Sequence, residues 1–315
     1  MSEHWSEREE CGGRSAVRLI VFIALRLGRT FARALLYPIT LYFFLRRGPE
    51  RRQSRAFLTL ALRRPATAWD VMRHIHAYAA VQVDRIFMLA QTTKRFDIRV
   101  QGLAELDALI DRGKGVLMLG AHIGSFEVLR VLATERPDVT TRILMDRQQT
   151  PALTDVLLSL NPKVSASIID VGVGDTNVAL DIQDAAAQGA LIGMLADRSR
   201  PREATTTVQF FGRPAKFPIA PYLIASLLDL PVTLIFGLYR GGDRYDLYFE
   251  TFAEHISIPR RERQVLLNEW AAKFAARLEH YTRLDPYNWF NFYDFWHRPD
   301  DSASADRESA VRSVA

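Results

Sequence analysis

Apolar and polar residues follow two different periods along the chain, and the change of period marks the body of the protein. Between residues 56 and 96, apolar side chains recur at the three- and four-residue spacing of a helix, as at Val71, Ile75 and Val83. From residue 97 to 240, short apolar runs alternate with helical segments. This alternation is typical of an α/β fold, in which a largely parallel central sheet is flanked by helices.

The pattern predicts each element in turn. Strands are predicted at residues 98–100, 116–119, 142–145, 167–171, 191–196, 231–238 and 245–252. Helices are predicted at residues 103–111, 126–134, 151–159, 176–188, 219–228 and 260–281. The stretch between the strand ending at 196 and the helix beginning at 219 is predicted to be a loop. The polar residues 298–315 are predicted to be a disordered tail.

The apolar segment at residues 16–45 is interrupted by arginines, so it does not read as a simple transmembrane helix. Each charge at the middle of a bilayer costs roughly 2.5–3.5 kcal/mol. The arginines at 18, 26, 29 and 33 are spaced to fall near one helical face. We therefore expect an amphipathic helix that lies in the membrane interface, with its arginines on lipid phosphates. Pro38 is expected to break or kink this helix.

A second interpretation of this segment stays open: the helix could dock on its own domain, with solvated arginines. In the interfacial interpretation the apolar face is formed by Leu19, Val21, Phe22, Ile23, Leu27, Phe31 and Leu35. A signal peptide is not predicted, because charges continue through the apolar region. The expected domains are a membrane-associated helical segment at 1–50, a catalytic domain at 51–297 and the tail.

Charge changes the picture only at the N-terminus. The chain carries a formal net charge of +5, yet residues 1–64 hold thirteen arginines against five glutamates. This asymmetry points to an anionic partner. Because apolar residues are interleaved with the arginines, a membrane surface is favoured and nucleic acid is not expected. The single cysteine, Cys11, excludes an intramolecular disulfide and a cysteine metal site. No metal or cofactor is expected.

The candidate chemistry lies where the apolar strand at 116–119 ends. His122 follows that strand between two glycines, and Glu127 comes five places later. The same spacing occurs three times in the chain, so it is weak by itself; only His122 follows an apolar strand. Imidazole is suited to take a proton near neutral pH, and a carboxylate on its other nitrogen fixes the tautomer. Amides at the start of the next helix are expected to bind an oxyanion, and Ser125 to cap that helix.

Three motifs resemble those of the lysophospholipid acyltransferase superfamily, in particular its branch of lipid A secondary acyltransferases. Residues 120–127, Gly-Ala-His-Ile-Gly-Ser-Phe-Glu, resemble a motif of histidine, any residue, glycine, asparagine, any residue and glutamate. Ser125 stands where asparagine is usual. Residues 194–198, Met-Leu-Ala-Asp-Arg, and 208–215, Val-Gln-Phe-Phe-Gly-Arg-Pro-Ala, resemble two later motifs. The aromatic residues 286–296 look closer to a sub-branch found with aryl-polyene pigment pathways.

The resemblance implies roles for individual residues. It implies His122 as general base, with Glu127 as its orienting partner. The further residues that it implies at the substrate are Gly124, Ser125, Arg147, Asp197, Arg198, Phe211, Gly212 and Arg213. Each arginine could hold an anionic group or simply lie at the surface. The Phe-Phe-Gly residues could line a groove or form an apolar plug, and the C-terminal aromatics could form core or an interfacial belt.

The expected function is acyl transfer from an acyl-carrier-protein or coenzyme A thioester to a hydroxyl or amine of a lipid or glycolipid. The basic N-terminal segment would hold the enzyme on the cytoplasmic face of a bacterial inner membrane and could steer an acidic carrier protein. Two rivals remain. One is a hydrolase that uses the histidine to activate water; it lacks a Gly-x-Ser-x-Gly elbow. The other is a non-catalytic lipid-binding scaffold.

Overall fold

The computed structural model describes residues 14–90, 95–131, 136, 138–147, 159–172, 177–200 and 203–296. The helix predicted at 151–159 lies outside the described residues except for its last position, and the predicted tail lies wholly outside them. Nothing in the structure tests the predicted domain boundaries.

A seven-stranded sheet forms the centre of the fold, in the order β1-β9-β8-β2-β5-β3-β4. Its strands are β1 (Asp97–Gln101), β2 (Val116–Gly120), β3 (Thr141–Met145), β4 (Ile168–Asp170), β5 (Leu191–Leu195), β8 (Val232–Tyr239) and β9 (Arg244–Ala253). All neighbouring pairs are parallel except β8 and β9. The expectation of an α/β fold with a largely parallel central sheet is therefore confirmed.

Helices flank this sheet. They are α1 (Arg14–Arg46), α2 (Gly48–Leu62), α3 (Ala68–Leu89), α4 (Leu103–Ile110), α5 (Pro162–Ala166), α6 (Asn177–Ala187), α7 (Ala220–Leu227) and α8 (Arg263–Leu284). Short 3-10 turns occur at Phe126–Val131 and Pro286–Asn288. Every residue of β2 and β8 is buried, as expected for apolar strands covered on both faces.

A two-stranded hairpin replaces the loop that was predicted before residue 219. Strand β6 (Thr205–Phe210) pairs antiparallel with β7 (Arg213–Pro218). Phe211 and Gly212 form the two-residue turn, with φ angles of 51° and 71°. Positive φ at both central residues gives the twist that a tight hairpin needs. The alternation of Val208 and Phe210 with polar residues was the available signal, but the threonines and glutamine of β6 made the segment look polar.

Helix α1 continues through Pro38, so it does not break there, which was one of the two outcomes predicted for that residue. The helical geometry is interrupted instead at Gly28, where φ is 83° and ψ is 168°. Glycine tolerates this positive φ without steric cost. Helix α1 packs chiefly on α3, so the N-terminal segment is joined to the body of the protein.

Two arginines of α1 point inward, contrary to both predicted interpretations. Arg29 donates from Nε to Oδ1 of Asp84 at 2.8 Å, and Arg33 donates to Oδ2 of the same carboxylate at 3.2 Å. Asp84 is fully buried on α3 and also accepts from the hydroxyl of Tyr245. These arginines therefore do not reach lipid phosphates. Among the residues that the structure describes, no helix is long and apolar enough to cross a membrane.

The outer surface of α1 carries many apolar side chains, here called its apolar outer side, together with the exposed Arg26 and Arg46. Large apolar side chains are exposed along it, namely Phe22, Leu25, Leu27, Phe31, Tyr37, Leu41, Tyr42 and Leu45. Several of the residues predicted to form the apolar face are on this surface, but Val21 is buried against the protein. The helix thus has a charged inner contact and an apolar outer side.

Candidate active site

The loop after β2 is held against β8 by close backbone contacts. Gly124 has a φ of 57°, and a Cβ atom there would lie 1.9 Å from the carbonyl oxygen of Gly237. A Cβ atom at Gly237 would in turn lie 2.4 Å from the carbonyl oxygen of Ser125. Only glycine fits at either position. The two glycines therefore fix where His122 leaves the sheet.

The backbone amides of residues 122–125 all donate to acceptors within the protein. The amide of His122 donates to Asp197, that of Ile123 to the carbonyl of Ala121, that of Gly124 to Asn288 and that of Ser125 to Gly237. A group that already donates within the protein is not a ready donor to a substrate. The oxyanion role was expected of the amides at the start of the following helix, from residue 126 on, and for those amides it stays a prediction.

His122 is hydrogen-bonded to Asp197, which follows the end of β5. Nδ1 of His122 lies 2.8 Å from Oδ1 of Asp197. Oδ2 of Asp197 accepts from the indole Nε1 of Trp289 at 3.1 Å and from the amide of His122 at 3.1 Å. The carboxylate is fully buried, whereas a third of the His122 side chain is exposed. One edge of the ring is therefore fixed inside the protein, while part of the side chain is exposed.

The charges around the pair favour an ionised aspartate and a neutral histidine. Burial by itself would raise the pKa of Asp197, but His122, Arg198 and the Trp289 indole hold it well below its usual range. Burial lowers the pKa of His122, Arg198 and Arg85 lower it further, and Asp197 acts in the opposite direction. An ionised carboxylate can only accept, so Nδ1 carries the hydrogen. The lone pair of the neutral ring is then on Nε2.

Glu127 takes a different position from the one predicted. Its Oε1 accepts from Nε of Arg85 at 2.6 Å, and its Oε2 accepts from the hydroxyl of Ser125 at 3.3 Å. The hydrogen bond to Nδ1 that the sequence assigned to Glu127 is made by Asp197. The reason is the short 3-10 turn at Phe126–Val131, which carries Glu127 toward α3, where Arg85 lies.

A C-terminal aromatic segment, residues 287–296, covers the other side of the loop. The amide of Phe290 donates to the carbonyl of His122 at 2.9 Å, and Gly124 donates to the carbonyl of Asn288 at 2.8 Å. Trp289 is fully buried between these two contacts. Of the aromatics predicted as core or as an interfacial belt, Trp289 is therefore core, and it contacts the site directly.

The model of the bacterial lipid A biosynthesis acyltransferase family matches residues 66–298. The chain belongs to this family. It is accordingly an acyltransferase that acts on a lipid acceptor. No curated protein matches the chain.

In this acyltransferase, Arg198 joins the aromatic segment to the buried aspartate. Its NH2 donates to the carbonyl of Phe290 at 2.6 Å, its guanidinium lies over the ring of Tyr293, and its Nε lies 3.8 Å from Asp197. Arg198 is nearly buried, so its contacts are those of a residue that holds the site together. Its predicted role at the substrate remains a prediction.

Arg147 lies at the same edge of the sheet, two strands away from His122. It follows β3, and its backbone amide donates to Asp170 at the end of β4. Strand β5 separates β3 from β2. A role for Arg147 at an anionic group of the substrate is a prediction that these contacts leave untested.

The Phe-Phe-Gly segment of the acyltransferase packs in the core. Phe210 is fully buried, and its ring lies 5.2 Å from that of Trp289. Phe211 is buried beneath Arg283 of α8 and beside Phe57 of α2. Of the two predicted possibilities, these contacts favour the apolar plug. Gly212 and Arg213 lie exposed at the hairpin tip.

Arg85 is the site residue that sequence reasoning missed, and Trp289 was noted only as part of an aromatic run. Arg85 lies on a helix more than thirty residues before His122, with no motif around it.

No group of three or more His, Cys, Asp or Glu side chains that could hold a metal occurs in the described part of the chain.

Proposed function

We propose that this acyltransferase moves an acyl group from a thioester of acyl carrier protein or coenzyme A to a hydroxyl or amine of a lipid or glycolipid, with His122 as general base. One observation carries this proposal: a histidine at the end of a parallel strand is hydrogen-bonded through Nδ1 to a buried, ionised aspartate. That arrangement leaves Nε2 basic and aims it away from Asp197.

In the proposed reaction, the oxygen of the acceptor hydroxyl attacks the thioester carbonyl, and Nε2 of His122 takes the proton of that hydroxyl. The tetrahedral intermediate then collapses, the carbon–sulfur bond breaks, and the imidazolium returns the proton to the leaving thiolate. Asp197 stabilises the imidazolium between these steps. The products are the acylated acceptor and the free thiol of the donor, and no acyl-enzyme is formed.

We propose that Arg85 stabilises the negative charge that develops on the carbonyl oxygen of the thioester. The four amides of residues 122–125 already donate within the protein, which favours a side-chain donor for this oxygen. Arg85 is partly exposed, and its positive charge is near enough to lower the pKa of His122. In this proposal, Glu127 holds the guanidinium in place, and its contribution to catalysis passes through Arg85.

The apolar outer side of α1 supports attachment to the cytoplasmic face of a bacterial inner membrane. Eight of the fourteen large apolar residues that are exposed in the described part of the chain lie on this one helix. Exposed apolar side chains concentrated in this way are typical of helices that insert at the boundary between headgroups and acyl chains. The exposed arginines 26, 46 and 47 lie on the same helix or just after it and suit anionic headgroups.

The decisive experiment incubates the purified full-length chain and a His122→Ala variant with a radiolabelled acyl-carrier-protein or coenzyme A thioester and extracted bacterial lipids. We expect acylated lipid from the wild type and a loss of at least about a thousandfold in the variant, as for a missing catalytic base. Free acid released at the same rate without lipid would favour the hydrolase. Unchanged transfer in the variant would contradict the role of His122.

The donor chain and the acceptor are narrower questions. A fatty or an aryl-polyenoic donor fits the proposal, and the placement in a pigment-pathway sub-branch stays a prediction. Mass spectrometry of lipids from a deletion strain identifies the acceptor, since the lipid that accumulates there with one acyl group fewer is the unused acceptor.

A further inference from the structure

Trp289 donates a buried hydrogen bond to the aspartate that orients the candidate base. Its indole Nε1 lies 3.1 Å from Oδ2 of Asp197, whose Oδ1 faces Nδ1 of His122. Each oxygen of the carboxylate thus has its own donor side chain. Both Trp289 and Asp197 are fully buried, so this hydrogen bond is closed to solvent.

The backbone around Trp289 is hydrogen-bonded to the loop that carries His122. Residues 123 and 289 form an antiparallel bridge, and the amide of Phe290 donates to the carbonyl of His122. A shift of residues 289–290 would therefore move both the indole that donates to Asp197 and the backbone of His122.

The far side of Trp289 is fixed by a buried histidine. Nε2 of His74 lies 3.0 Å from the carbonyl oxygen of Trp289, and Nδ1 lies 2.8 Å from the hydroxyl of Ser54. Burial lowers the pKa of His74 to about 4, so the ring is neutral and carries one hydrogen. A carbonyl only accepts, so that hydrogen is on Nε2 and the Ser54 hydroxyl donates to Nδ1. Trp289 thus links α2 to the site, because its carbonyl accepts from His74 and its indole donates to Asp197.

We propose that Trp289 is a positioning residue for acyl transfer, acting through Asp197 on the orientation and basicity of His122. The inference rests on the proposed function of His122 as the base. The indole N–H occupies Oδ2 and thereby presents Oδ1 to the ring. The hydrogen bond from the indole also draws negative charge from the carboxylate. Asp197 therefore stabilises the His122 imidazolium less than it would without that hydrogen bond.

Removing the indole donor has two expected effects. Catalysis falls by about 10- to 100-fold in kcat, because a supporting hydrogen bond is lost, while KM changes little. The acidic limb of the pH profile of kcat/KM moves to higher pH, because the carboxylate then stabilises the imidazolium more strongly. A purely structural defect would lower the amount of active enzyme without moving this limb.

The test compares Trp289→Phe with Trp296→Phe in the full chain. Trp296 is a matched control: its ring centroid lies 6.1 Å from that of Trp289 in the same aromatic cluster, but its Nε1 donates to the carbonyl of Phe210. We expect only Trp289→Phe to show the fall in kcat and the shifted limb. If both variants behave alike, the positioning role is overturned.

A second measurement needs no variant and covers the case in which Trp289→Phe does not fold. With 15N-labelled tryptophan, the indole N–H resonance of Trp289 should titrate with the same midpoint as the ring of His122, and that of Trp296 should not. A pH-independent Trp289 resonance while His122 titrates contradicts the inference. His122→Ala separates the two proposals: if it retains full transfer, the proposed base is wrong, whereas equal tryptophan variants beside an inactive His122→Ala reject only the positioning role.

Discussion

Nδ1 of His122 lies 2.8 Å from Oδ1 of Asp197, a residue 75 positions later in the chain. The pairing of two strands explains this contact. Strands β2 and β5 are parallel neighbours in which Gly120 is opposite Leu195. Continuing that register by two residues places His122 opposite Asp197. The base and its carboxylate therefore meet because equivalent positions follow the ends of adjacent strands.

The two acids of the site should differ in what they do. Asp197→Asn removes the charge that stabilises the imidazolium and favours the wrong tautomer, so kcat should fall by about three to four orders of magnitude. Glu127→Gln only loosens Arg85, and a fall of about 10- to 100-fold is expected. Steady-state rates of both variants check the order. A larger loss in Glu127→Gln would restore the originally predicted pairing of Glu127 with the base.

Gly124→Ala should displace the loop that carries the base. The new Cβ would overlap the carbonyl oxygen of Gly237, and the residue would also have to keep a φ of 57°. We expect loss of activity together with a fall of several kcal/mol in the free energy of unfolding. Gly113→Ala is the matched control, because its φ is 72° but nothing lies within 4 Å of its Cβ. It should cost about 1–2 kcal/mol and leave kcat unchanged.

Asp84→Asn should weaken the attachment of α1. The change leaves Arg29 and Arg33 beside a neutral amide in a largely buried position, which costs about 3 kcal/mol or more in the free energy of unfolding. Glu254→Gln breaks the exposed pair with Arg112 and should cost less than about 1 kcal/mol. Denaturant unfolding measures both. Equal, small costs would mean that the buried pair does not hold the helix.

The buried His74 should make the fold acid-sensitive. Its pKa is about 4 in the folded protein against an ordinary 6.5, so the unfolded chain takes up the proton first as the pH falls. The contribution is intact above pH 6.5 and is lost between 6.5 and 4, at up to about 1.4 kcal/mol per pH unit. In His74→Gln the free energy of unfolding should fall less steeply across this window. Parallel pH curves for the two proteins would exclude this role.

The apolar outer side of α1 should bind membranes. Replacing Phe22, Phe31 and Leu45 together by serine removes three side chains that are each worth about 1.5–3 kcal/mol when buried. Flotation with vesicles that contain phosphatidylglycerol should show at least about a tenfold loss of binding. Leu227→Ser is the control, since Leu227 is 81% exposed but lies on α7. Equal binding by the triple variant and the wild type would contradict the membrane proposal.

Local pattern predicted much of this protein. Short apolar runs between helical segments predicted the parallel sheet, because buried parallel strands need apolar residues on both faces. The apolar strand before His122 also singled out this histidine from the others in the chain. The hairpin β6–β7 was missed, because its exposed polar residues hid the alternation of its buried ones.

The sequence by itself determined the succession of strands and helices along the chain, the glycine-flanked turn and the position of His122 at a strand end, since these depend on neighbouring residues. Only the tertiary structure decided which carboxylate meets the imidazole and which side of α1 faces outward. The first depends on the register of β2 and β5, and the second on the buried charge of Asp84 across from Arg29. Contacts of this kind join residues far apart in the chain, and no local spacing encodes them.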